Sequence, residues 1–135
     1  MKLITRDTDY AVRALCFIAQ KKNTVVSAKE LIERLNVPRS FIRKILQKLN
    51  KVGLLKSRKG LGGGFALAVR SKELTLCSLV EAMQGPVRLS EHTFRGKCCP
   101  EIKLCKLKSR LDAIEKKVAA ELRTITIDSL MKNGA

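Results

Sequence analysis

The tract Gly60-Leu61-Gly62-Gly63-Gly64 leaves little freedom in how the middle of this chain folds. Glycine loses more backbone freedom on folding than any other residue and weakens the interior of a helix or a strand. The tract is therefore a turn, and the segments on either side of it are separate elements. Leu54 to Lys59 and Phe65 to Val69 are short apolar-containing runs, so the arrangement predicts a β-hairpin. Just before it, Phe41, Ile42, Ile45, Leu46, Leu49 and Val52 share one side of a helix that Gly53 is placed to end. The opposite side carries Arg39, Ser40, Arg43, Lys44, Gln47 and Lys48.

Upstream, Ser27-Ala28-Lys29-Glu30 matches a capping box, in which a serine and a glutamate satisfy each other's free backbone amides at a helix start. That helix puts Ala28, Leu31, Ile32 and Leu35 on one face and stops at Asn36. Pro38 then occupies a first helical turn, where proline is tolerated. Two short helices joined by a tight turn, the second one basic, followed by a basic hairpin, form a winged helix-turn-helix pattern.

The remaining segments surround this unit. Tyr10, Ala11, Ala14, Leu15, Ile18 and Ala19 predict an opening helix, and a further helix runs from about Thr75 to Gln84 before Gly85-Pro86 stops it. From Leu104 through Leu107, Leu111, Ile114, Val118 and Leu122 to Ile125, the spacings alternate between three and four, a coiled-coil-like seam of about three heptads. A narrow stripe on a protruding helix suits packing against a partner helix; the opening helix of the same chain is the alternative. The expected fold is thus mainly α with a small β-hairpin wing. Residues 1–86 form a winged helix-turn-helix unit, 87–103 a cysteine-containing loop, and 104–135 a dimerisation helix and tail.

Charge narrows the partner. The chain of 135 residues carries a formal net charge of +16, and from Arg34 to Lys72 it has no Asp or Glu. Self-repulsion of that size disfavours the compact state, so an anionic partner is the natural explanation. Double-stranded DNA fits the pattern. Arg39, Ser40, Arg43 and Gln47 lie where a helix enters a major groove, and Lys44 and Lys48 flank them. Arginine pairs with guanine through two hydrogen bonds and glutamine with adenine, while lysines and backbone amides hold phosphates. Lys56, Arg58 and Lys59 add cations to the hairpin, and Gly62 and Gly63 let its backbone approach the duplex closely.

Other classes fit poorly. Aromatics are 4% of the chain and Trp is absent, which leaves few rings for stacking single-stranded bases. The glycine tract has no following Lys-Ser/Thr and opens no helix, so it is not a phosphate loop. There is one histidine and no Ser/His/Asp set or Cys-x-x-Cys, and neither an enzyme nor a small-molecule substrate is expected. No apolar run approaches the roughly 18 residues of a membrane span, and a cytoplasmic location with reduced thiols is expected.

The cysteines divide into two groups. Cys16 and Cys77 lie among apolar helical neighbours and read as small core hydrophobes. Cys98, Cys99 and Cys105 lie close together before the long helix, with Arg95, Lys97, Lys103 and Lys106 around them. Positive neighbours favour the thiolate, the form that binds metal or meets oxidants. Such a group suits one side of an iron–sulfur or zinc site, or a set of regulatory thiols without metal.

Three segments resemble one family. "TDYAVRAL" (Thr8 to Leu15), "GLGGGFALA" (Gly60 to Ala68) and "CPEIKLCKL" (Cys99 to Leu107) are similar to the opening helix, the wing and the cysteine loop of the Rrf-two family of bacterial regulators. The resemblance covers nearly the whole chain, and its wing is the most specific match. It implies a homodimer that binds operator DNA under the control of an iron–sulfur cluster, of the [2Fe-2S] or [4Fe-4S] type. The family commonly spaces three ligating cysteines with five residues between each. Cys99 and Cys105 keep that spacing, but Thr93 stands where the first would be. Either Cys98 substitutes through a shifted loop, or His92 serves. In some members an aspartate of the opening helix, given by the other subunit, is the fourth ligand; Asp9 matches it here.

Overall fold

The computed structural model describes residues 2–21, 25–89, 93–94, 97–98 and 106–132, with the backbone alone for 93–94, 97–98 and 132. In chain order the elements are α1 (Arg6–Gln20), α2 (Ala28–Leu35), α3 (Arg39–Lys51), β1 (Leu55–Arg58), β2 (Gly64–Leu67), α4 (Leu76–Gln84), β3 (Thr93–Phe94), β4 (Lys97–Cys98), α5 (Lys106–Thr124) and α6 (Ile127–Lys132).

α1 is the centre of the core. Ala11, Ala14, Leu15 and Ile18 on it are buried, and α2, α3, α4, β2 and α6 all pack against it. Alanines at two of these positions let neighbouring backbones come close, and the larger Leu31, Ile42, Leu46, Leu49 and Leu79 fill the space around them. The start of α1 is held twice. The Thr5 hydroxyl caps it by accepting from the Thr8 amide at 3.3 Å. The Gln84 side chain accepts from the Thr5 amide at 2.9 Å and donates to the Leu3 carbonyl at 3.1 Å, which ties the leading segment to the end of α4.

The helix-turn-helix follows the sequence closely. The Ser27 hydroxyl accepts from the Glu30 amide at 3.1 Å, the first half of the expected capping box. Asn36 takes the left-handed conformation (φ 52°) that ends α2, and its amide donates to the Ile32 carbonyl at 3.1 Å. Asparagine tolerates that conformation better than most residues. Pro38 precedes the first turn of α3 rather than occupying it, and its carbonyl accepts from the amides of Phe41 and Ile42. Ser27→Ala is expected to cost about 1 kcal/mol of stability through the lost cap, read as a lower urea midpoint at unchanged slope.

β1 and β2 form the antiparallel hairpin, with Leu55 opposite Leu67 and Arg58 opposite Gly64. Both strands are shorter than the flanking apolar runs suggest. Val26 adds a third short edge by exchanging two hydrogen bonds with Phe65, at 2.9 and 2.8 Å. The hairpin is therefore anchored to the chain between α1 and α2.

The C-terminal segment departs from expectation. Leu107, Leu111, Ile114, Val118 and Leu122 of the apolar stripe lie on α5, Leu104 lies outside the described residues, and Ile125 falls beyond the end of the helix. α5 ends at Thr124, residues 125–127 run beside 74–76, and a short α6 follows. The Leu76 amide donates to Ile125 O at 2.8 Å, and the Ile127 amide donates to Leu74 O at 3.0 Å. Thr126 and Ser129 cap each other's amides at 3.0 Å and start α6. Leu122 and Ile127 are consequently buried in the chain's own core. The earlier part of the stripe stays open, with Leu107 65% and Ile114 46% exposed.

Candidate nucleic-acid interface

α3 sorts its residues by periodicity. Ile42, Ile45, Leu46 and Leu49 point into the core, and burying them fixes the rotation of the helix. That rotation leaves Arg39, Ser40, Arg43, Lys44, Gln47 and Lys48 all on the exposed side. Arg39, Arg43 and Gln47 are four apart and form one row along it.

The charge on this face has little to neutralise it. Among the described residues, the ion pairs are Arg13–Asp9, Lys21–Glu30 and Lys108–Asp112, and none involves α3 or the hairpin. Lys48 differs from its neighbours in donating to the Met83 carbonyl at 2.7 Å, at the end of α4. It sits at the edge of the face and ties it to the helix behind.

On the hairpin, Lys56, Arg58 and Lys59 are exposed. Gly60 and Gly62 adopt positive φ (94° and 74°), and a side chain added at either would meet nothing within 4 Å. Gly63 is glycine for an internal reason: a Cβ there would lie 2.3 Å from the Arg58 carbonyl oxygen. Its amide donates to the Gly60 carbonyl at 3.0 Å and closes the turn.

One cation at this face has no sequence signal. The Arg6 guanidinium lies 4.7 Å from the centre of the Phe41 ring, and Tyr10 meets the same ring edge-on at 6.3 Å. Phe41 is in the first turn of α3, so Arg6 stands beside the start of the exposed row. Only the packing of α1 on α3 brings them together, and no local pattern encodes that.

Cys77 is buried and Cys16 half-buried, as their apolar neighbours suggest. Burial pushes both thiols above the ordinary cysteine range, and the Glu81 carboxylate beside Cys77 pushes that one further. Both stay protonated and are poor ligands and poor nucleophiles. Cys98 is in β4, where the backbone alone is described; Cys99, Cys105 and His92 lie outside the described residues. Asp9 is half-exposed in the first turn of α1 and pairs with Arg13 at 3.2 Å. Among the described residues no three His, Cys, Asp or Glu side chains converge as ligands. No described helix is long and apolar enough to cross a membrane.

Residues 4–133 match the family model described as "Rrf2: Iron-dependent Transcriptional regulator". Protein rrf2 of Nitratidesulfovibrio vulgaris is 29% identical over 100% of this chain and 90% of its own length. The transcriptional regulator NsrR of Halalkalibacterium halodurans is 27% identical over 96% of this chain and 90% of its own. Among solved structures, IscR of T. potens superposes with a TM-score of 0.77 at 22% identity, covering 100% of this chain and 89% of that one. CymR of B. subtilis, the global cysteine regulator, gives 0.74 at 22% identity and covers 98% of each chain. These two likenesses establish the winged-helix fold. With its basic helix-turn-helix, its hairpin and a family match over nearly its whole length, the chain belongs to the Rrf2 family, DNA-binding transcriptional regulators rather than enzymes.

Proposed function

We propose that this chain is a cytoplasmic homodimer whose affinity for an operator is set by an iron–sulfur cluster that reports redox state, nitric oxide or iron–sulfur status. The observation that carries the reading is a cationic face on α3 without carboxylate partners among the described residues, in a chain whose family is described as iron-dependent and whose sequence places Cys98, Cys99 and Cys105 within eight positions.

Each protomer inserts α3 into a major groove. Arg39 and Arg43 pair with guanine edges and Gln47 with adenine, while Lys44, Lys56, Arg58 and Lys59 hold phosphates. Two chains pair along the open part of α5, where Leu107 and Ile114 expose apolar surface that nothing among the described residues covers. Such pairing sets the distance between the two α3 helices and so the spacing of the half-sites.

The donor chemistry fits a cluster. Thiolates are soft ligands that suit iron–sulfur centres, and the cations around Cys98, Cys99 and Cys105 favour that form. Asp9 or His92 completes the set. When bound, such a cluster supplies a centre that reacts with oxidants and diatomic gases. Asp9 has a route to the DNA-reading helix within its own chain. It exchanges Arg13 for another partner at the cost of one half-exposed ion pair, and its neighbour Tyr10 packs on Phe41 at the head of α3.

Anaerobic purification of the full chain is expected to give a brown protein with iron and acid-labile sulfide, and Cys105→Ser to lose the colour. A coloured Cys105→Ser protein would refute the ligand set. A second reading is a metal-free regulator that responds through thiol oxidation or a partner protein. Thr93 at the position of the family's first cysteine and the likeness to CymR favour it. It predicts no iron, and operator affinity that changes with an oxidant alone.

A further inference from the structure

Leu61 has no packing partner among the described residues. Its side chain is 107% exposed, as open as in an extended peptide, at the apex of the hairpin. An isolated apolar side chain on a surface is ordinary; this one is unusual in how it is held. Gly60 and Gly62 flank it at positive φ, and neither carries a side chain to widen the tip. The turn beneath it is closed by the hydrogen bond from Gly63 to Gly60, and a Cβ at Gly63 would lie 2.3 Å from the Arg58 carbonyl oxygen. The leucine is thus presented on a closed and narrow turn. Behind it stand exposed Arg58 and Lys59, in a segment with no acidic residue.

We propose that Leu61 enters the minor groove of the duplex next to the site read by α3 and imposes a preference for A·T base pairs there. The proposal rests on the duplex-reading role assigned to α3. The tip of the hairpin is a backbone bearing one side chain, which suits a groove about 6 Å wide. The floor of that groove is free of the guanine amino group only at A·T pairs, so an apolar side chain meets least obstruction there. Leucine is among the residues that proteins wedge into minor grooves, and flexible TA steps open to such a wedge at low cost. Arg58 and Lys59 would hold the phosphate walls on either side. The positive charge around this leucine matches the phosphate walls of a duplex, which flank the groove on both sides.

The test uses the full-length chain and a site found by footprinting, in its native form and with the base pairs under the hairpin changed from A·T to G·C. Leu61→Ala is expected to bind the native site about a hundredfold more weakly, about tenfold for each of the dimer's two hairpins, the scale of returning leucine's buried methyl groups to water. It should be indifferent to the A·T-to-G·C change, which weakens the wild type by a similar factor. Leu61→Met, still apolar and of similar volume, should keep most of the preference. The salt dependence of binding should not change, because no phosphate contact is lost. Thermal stability should also hold, since the side chain touches nothing. If Leu61→Ala binds like the wild type, or if the wild type ignores the A·T-to-G·C change, the inference is wrong while the role of α3 stands. If the wild type prefers no site at all, both fail.

Discussion

Replacing Arg43 with alanine should abolish site-specific DNA binding while leaving the fold intact. Arg43 is exposed in the middle of the α3 row and has no carboxylate partner among the described residues. Its removal therefore disturbs no packing, and exposed changes of this kind usually stay within about 0.5 kcal/mol of wild-type stability. A bidentate arginine–guanine pair contributes about 1–3 kcal/mol of discrimination, and a two-fold dimer makes it twice, so the loss in specific affinity should be about a hundredfold or more. Arg43→Lys should not restore it, because lysine lacks the planar fork that matches a guanine edge. Fluorescence anisotropy on an operator fragment and on unrelated DNA separates this loss from a general weakening. Equal losses on both would make Arg43 a phosphate contact.

The second large effect is structural. Gly64 lies where β2 begins, at φ 156°, and a Cβ there would sit 2.3 Å from the Val26 carbonyl oxygen and 2.6 Å from its carbon. Both are backbone atoms, so no side chain can swing aside. The same place holds the pair of hydrogen bonds between Val26 and Phe65 that anchors the hairpin. Gly64→Ala must push these chains apart, at a cost of about 3 kcal/mol, the scale of a strained backbone position together with lost bridge bonds. For a domain of this size that lowers the thermal midpoint by about 10 °C. DNA binding should fall as well, because Lys56, Arg58 and Lys59 lose their fixed relation to α3. Gly62→Ala is the control. It meets nothing within 4 Å, so it should cost about 1 kcal/mol for the positive φ alone.

The parts of this fold that were legible from the amino acids are those fixed by local chemistry. Ser27, Asn36 and Gly53 mark helix ends through their own caps and conformations, and the spacing of Ile42, Ile45, Leu46 and Leu49 sets which side of α3 faces out. The exposed row from Arg39 to Lys48 follows from that rotation. What was not legible depends on contacts between distant segments. The stripe from Leu104 to Ile125 reads as one seam, yet an α-helix turns about 20° per heptad away from such a repeat, so the two ends of a straight helix face different ways. Here the far end, at Leu122, turns into the chain's own core, and pairing of 125–127 with 74–76 stops the helix. α6 is too short for periodicity to reveal, and its Thr126–Ser129 cap was its one local trace. Arg6 gains its place beside α3 only through the packing of Tyr10 and Phe41. Gly63 and Gly64 read as freedom for a turn, whereas the structure needs them for close backbone approach.

Footprinting the wild-type chain on genomic DNA fragments, with guanine N7 methylation as interference, tests most directly whether the exposed side of α3 reads a major groove. Discrete protected sites are expected, each with two related halves one helical turn or a multiple apart, and methylation at guanines within those halves should block binding. Protection spread evenly along the fragments, or sites indifferent to methylated guanine, would contradict it.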